Sequence, residues 1–104
     1  MFGINTIDIY VKNLDSEIFL SIDVIKREYL VNESKRMILR SQIEDLIRII
    51  RSWKNEYYSS NSLDREEFTL KIVTDKGEEV LHGKGAYPEN YGLFKDWLGE
   101  VYVG

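Results

Sequence analysis

From Ile4 to Lys12 the chain alternates strictly, with Ile7, Ile9 and Val11 on one side and Thr6, Asp8, Tyr10 and Lys12 on the other. A period of two predicts a strand with one buried face. Asn13-Leu14-Asp15-Ser16 supplies turn residues. Alternation then resumes from Glu17 to Val24, with Ile18, Leu20, Ile22 and Val24 inward and Phe19, Ser21 and Asp23 outward. The pair is a predicted hairpin.

Lys26 to Arg40 is less regular. Tyr29-Leu30-Val31 is strand-like, Asn32-Glu33-Ser34-Lys35 is a turn candidate, and Met37-Ile38-Leu39 fits either a strand or an early helix start. Extending the helix backward carries Arg36 and Arg40 toward its apolar stripe and turns Ile38 to water, which favours the strand. The helix proper is expected from Ser41, where Ser41-Gln42-Ile43-Glu44 has the form of a capping box. Ile43, Leu46, Ile47, Ile50, Trp53 and Tyr57 continue at helical spacing, so its end is expected near Tyr57, before a Ser59–Ser62 loop.

The pattern then repeats in clearer form. Glu67 to Thr74 reads as a strand with Phe68, Leu70 and Ile72 inward, followed by an Asp75-Lys76-Gly77 turn and a return strand from Glu78 to Gly83. A second helix is expected to open near Pro88, with Glu89 at its positive end and Phe94, Trp97, Leu98 and Val101 as its stripe. The chain therefore reads as a strand–strand–helix unit written twice. The predicted fold class is α+β: an antiparallel sheet of four to six strands with two helices on one face, in the order ββ(ββ)αββα.

With 104 residues, 43% hydrophobic and 31% charged, the sequence suits one globular domain over residues 1–104. The absence of cysteine excludes disulfides, thiolate metal sites and cysteine nucleophiles. There is no leader-like start and no apolar run of membrane-spanning length, so a soluble cytoplasmic protein is expected. The net charge of −4 is unevenly spread. Residues 1–34 hold three bases and six acids, residues 35–63 six and three, and residues 64–104 five and nine. A basic band thus lies between two acidic segments. An acidic chain has no general attraction to nucleic acid, and any such contact would have to use that band.

The run from Lys71-Ile72 through Gly83-Lys84-Gly85-Ala86-Tyr87-Pro88-Glu89-Asn90-Tyr91-Gly92-Leu93-Phe94 resembles a pattern in small uncharacterised bacterial proteins. They carry a tryptophan-bearing helix, a hairpin, and a Gly-x-x-x-Tyr-Pro-x-Asn-aromatic step into a last helix. Trp53 would be the earlier tryptophan. The resemblance implies a fold and brings no activity with it.

Candidate chemistry is sparse. His82 is the only histidine, which rules out a histidine metal cluster, and no neighbouring nucleophile marks it as a base. Gly83-Lys84-Gly85 ahead of a helix could cradle an anion, with His82, Tyr87, Asn90 and Tyr91 as further ligand contacts. It lacks the spacing of a dinucleotide fingerprint or a P-loop. Arg36, Arg40, Arg48, Arg51 and Lys54 near Trp53, Tyr57 and Tyr58 resemble a basic surface with aromatics, although Glu44 and Asp45 can pair with Arg48. Glu66-Glu67 and Glu78-Glu79, with Asp64 and Asp75, could form an acidic ridge suited to a basic protein.

Tyr10, Phe19 and Ile25 point away from the side that the helices should cover. The expected function is a small non-enzymatic protein-binding module, such as an inhibitor or immunity-type protein of a bacterium or phage. Its partner is expected to be another protein or a second copy, with Tyr10, Phe19, Arg48 and Arg51 as contact residues. The alternative is an anion, nucleotide or other small-ligand binder using the Gly83–Tyr91 step. No cofactor, metal, membrane or nucleic acid is expected.

Overall fold

Alternation and turn chemistry translate directly into the sheet of the computed structural model, which describes residues 3–60 and 66–103. β1 (Ile4–Lys12) and β2 (Glu17–Asp23) form the first hairpin, paired from Thr6↔Asp23 to Lys12↔Glu17. Its turn is closed by Asn13, whose Oδ1 accepts from the backbone of Asp15 and Ser16, both at 2.9 Å. β3 (Glu28–Val31) and β4 (Ser34–Met37) make a second hairpin around Asn32–Glu33. Both loop residues have positive φ, 49° and 66°, as a type I′ turn demands. Residues 28–37 thus form strands joined by a turn and not an extension of the helix. They lengthen the sheet and leave the face bearing Phe19 uncovered.

α1 (Arg40–Ile50) starts one residue before the expected cap. Its N-cap is Leu39, so Ser41 lies inside the first turn, and it is Gln42 that reaches back, its Oε1 accepting the Leu39 N–H at 2.9 Å. The predicted Ser41 capping box is not formed. The helix also stops at Arg51, well short of Tyr57. Trp53 follows in a turn, and Tyr57 belongs to β5 (Glu56–Tyr58), a parallel partner of β7.

β6 (Glu67–Thr74) and β7 (Gly77–Lys84) form the third hairpin, in which Gly77 closes the turn at a φ of 141° that other residues rarely adopt. α2 (Tyr91–Val103) begins three residues after Pro88, which is buried in the approach and accepts the Tyr91 N–H at 3.1 Å.

The described residues form a sheet of seven strands in the order β4-β3-β2-β1-β6-β7-β5, with β1 at its centre. The fold is α+β, mostly antiparallel, with both helices on one face. The seventh strand is β5, hidden in sequence because Tyr57 kept helical spacing. Two hairpins, β1–β2 and β6–β7, meet back to back through the antiparallel β1–β6 pair, which fits the duplicated reading of the chain.

The core lies between sheet and helices. Ile7, Ile9, Leu20, Ile22, Phe68 and Leu70 from the sheet, and Leu46 and Phe94 from the helices, are fully enclosed. Both tryptophans are buried, Trp53 at 7% and Trp97 at 6% exposure. Each indole N–H has an acceptor, Asn90 Oδ1 at 2.6 Å and the Gln42 carbonyl at 2.8 Å. Tyr29 Oη donates to the Val101 carbonyl at 2.7 Å and Arg36 to that of Tyr102 at 3.2 Å, fixing the end of α2 to β3 and β4.

Candidate functional site

The alternation that fills the core leaves the opposite side of the sheet bare. No described element covers it. Cross-strand register places Leu30, Ser21, Asp8, Lys71 and Val80 in one row of this open face, and Phe19, Tyr10, Thr69 and His82 in the next. Phe19 is 54% exposed, and its ring meets Tyr10 edge to face at 6.4 Å. Leu30 and Val80 are also exposed. Exposed apolar or aromatic groups are spread across the face, from Met37 on β4 through Leu30, Phe19 and Val80 to Tyr58 on β5.

Charges surround these groups. Lys12, Glu17, Glu67 and Lys84 form an alternating row, and Lys71 pairs with Glu78 at 3.5 Å. With Asp8, Asp23, Glu28 and Glu56 added, acids outnumber the lysines on this face. Glu67 accepts from His82 Nε2 at 2.7 Å. That hydrogen bond holds the Glu67 carboxyl below its ordinary range, with burial opposing and the nearby bases assisting. Tyr10 donates to Glu17, and this bond raises the phenol above its ordinary value.

The Gly83–Tyr91 step has a different use. Successive strand residues point to opposite faces, so His82 and Lys84 lie on the open side while Gly83 turns inward. A Cβ at Gly83 would sit 2.2 Å from Phe68 Cε1, so the glycine exists to admit that ring. Tyr87 and Tyr91 stack with centroids 4.7 Å apart, and Tyr91 packs on Phe68 at 5.2 Å. Asn90 donates to the Ile49 carbonyl at 2.9 Å while accepting from Trp53, and so ties the start of α2 to the end of α1. Gly83, Tyr87, Asn90 and Tyr91 of the step thus pack the corner where the sheet meets the helices, while His82 and Lys84 face the open side.

Glu66 anchors the same corner. It accepts from Tyr91 Oη at 2.5 Å and Lys95 Nζ at 2.7 Å. Burial pushes its carboxyl up, but the bonds from Lys95 and Tyr91 outweigh that and leave it below the ordinary value. The expected acidic ridge is broken by the same alternation. Glu67 and Glu78 reach the open face, Glu79 turns to the helical side, and Asp75 accepts from Asn5 Nδ2 at 3.2 Å; Asp64 lies outside the described residues.

Arg48 and Arg51 are exposed on the helical layer and do not join Tyr10 and Phe19 in one surface. Arg48 pairs with Asp45 at 2.9 Å. Ile25 is exposed at the β2–β3 turn, beside α1 and away from the open face. Sequence reasoning passed over Leu30, Val80 and the Glu67–His82 pair, although period two in each strand already assigned them to the outward side.

Among the described residues, no cluster of histidine and carboxylate groups could hold a metal ion. No helix of the described residues is long and apolar enough to cross a membrane. No protein-family model matches the chain, and no curated protein matches it.

Proposed function

We propose that this chain is a small non-enzymatic module that binds another protein through the open face of its sheet, in the manner of an inhibitor or immunity-type protein. The observation that carries this is the exposed Phe19 packed on half-buried Tyr10 on the central strands, set in a field with more acids than bases. Apolar centres ringed by charge are the usual anatomy of protein interfaces. The acidic excess fits a basic partner surface, such as one that otherwise meets nucleic acid. A second copy is the less favoured occupant, because two like faces would oppose their carboxylates.

Phe19→Asp tests this. Phe19 is on the solvent side, so the variant should stay folded with stability changed by no more than about 1 kcal/mol. Co-purification from the cells that make the protein, followed by reconstitution from pure components, should give a stoichiometric complex with the wild type and none with the variant. Light scattering on the free protein identifies a homodimer, which Phe19→Asp should then dissociate. A complex that survives Phe19→Asp would overturn the reading.

A further inference from the structure

The helical layer carries a second surface of opposite sign. A cleft of about 440 Å³ runs between the β2–β3 turn and the outer flank of α1. Its apolar lining is Val24, Ile25, Ile43 and Ile47, and its charged lining is Arg27, Arg40 and Glu44. Glu44 and Ile47 also line a recess of about 200 Å³ that continues along α1 to Arg48 and Arg51. In a chain of net charge −4, these lining residues include one carboxylate against the arginines at positions 27, 40, 48 and 51.

We propose that this groove binds an acidic protein segment bearing aliphatic side chains, independently of the open sheet face. Two of these four arginines keep no acid partner among the described residues. Arg40 meets Glu44 only at 3.9 Å, Asp45 occupies Arg48 alone, and Arg27 and Arg51 pair with no acid among the described residues. Glu79 and Arg51 both line a small recess on that side. Ile25, 71% exposed at the tip of a turn, stands over the cleft with nothing among the described residues to cover it. The turn holds Arg27 at a φ of 55°, a left-handed conformation that costs an ordinary side chain, and fixes it through Ile38 N–H to the Arg27 carbonyl at 3.0 Å.

The aliphatic floor separates a protein partner from a nucleic acid. Single strands are gripped by aromatic stacking along a basic track, and no aromatic side chain lines this groove. Glu44 midway along it would repel a phosphate backbone, whereas a protein segment can leave a gap or a base there. α1 has 11 residues, about 16 Å of helix, so the segment would span about three helical turns.

The probe is a synthetic peptide with leucines at helical spacing and glutamates between them, titrated into the isotopically labelled full chain. Expected are amide shifts confined to residues 24–27 and 40–51. Arg27→Glu and Arg51→Glu should each weaken binding by about 5- to 10-fold, as should raising salt from about 0.05 to about 0.5 M. Ile25→Ser should weaken it comparably, while Phe19→Asp should leave it unchanged, which separates this groove from the open face. No shifts at millimolar peptide would overturn the proposal. So would equal binding of a peptide with serine in place of leucine, or tighter binding of an oligonucleotide to the same arginines, which would mark a phosphate-binding surface instead.

Discussion

The two faces of one sheet follow the same alternation and meet opposite demands. On the covered face every contributing side chain is held between strands and helices, and each indole or phenol there has its hydrogen bond. On the open face, Phe19, Leu30 and Val80 stand among charged neighbours with no element above them. Substitution on the first face must create a cavity or a clash; on the second it changes mainly what can dock. Residue choice on the open face is therefore less bound by packing than on the covered one, and the exposure of Phe19 there calls for another explanation.

The largest test of that contrast is Trp97→Ala. It empties a buried indole site and leaves the Gln42 carbonyl without its donor, so a loss of about 3–5 kcal/mol is expected in chemical denaturation. Gly83→Ala comes next. Phe68 is completely enclosed and has nowhere to retreat from the added methyl, so about 1–3 kcal/mol should be lost. A neutral outcome at Gly83 would mean that the aromatic corner is looser than its ring distances indicate.

A weaker effect is expected from Glu67 on the open face. Its folded carboxyl titrates below the ordinary value of about 4.5, so protons bind the unfolded chain more readily. The stability it contributes is present above about pH 4.5 and is lost as pH falls through the lower folded value. Glu67→Gln should therefore narrow the stability difference between neutral and acidic pH, as followed by thermal melts across that range. Identical profiles for the two proteins would show that the His82 bond does not matter in solution. Smallest of all is Ser41→Ala, which should shift stability by less than about 0.5 kcal/mol because Ser41 caps nothing. Gln42→Ala removes the acceptor for Leu39 N–H and should cost more, about 0.5–1 kcal/mol by the same measurement.

Where local pattern and tertiary packing agree, the sequence was legible. The strands around Ile7, Leu20, Leu70 and Leu81, and the stripes through Leu46 and Trp97, follow from periodicity alone. The end of α1 was not legible. Nothing between Arg51 and Asn55 is a glycine or proline, and Trp53 and Tyr57 both keep helical spacing. What ends the helix is distant: the edge of β7 captures this segment, with His82 N–H donating to the Asn55 carbonyl at 2.9 Å and Tyr57 packing near Phe68. The packing role of Gly83 was hidden for a related reason. Glycines before a helix give no hint that Gly83 makes room for Phe68, fifteen residues upstream. Tyr10 and Phe19 were readable because their strands alternate cleanly; the groove beside α1 was not, because it joins a turn and a helix apart in sequence.

The central β1–β6 pair has a consequence for how the chain is made. Its partners, from Ile4↔Thr74 to Lys12↔Glu67, are the most widely separated in the sheet. During synthesis the first two hairpins and α1 emerge while β1 still presents an unsatisfied edge, with Ile7, Ile9 and Val11 lacking half of their neighbours. Such an edge is a template for pairing with other chains until residues 67–74 arrive to close it. Folding should therefore be late and cooperative, limited by one long-range closure rather than by the local hairpins. A nascent chain stalled before β6 would be the species most prone to aggregate.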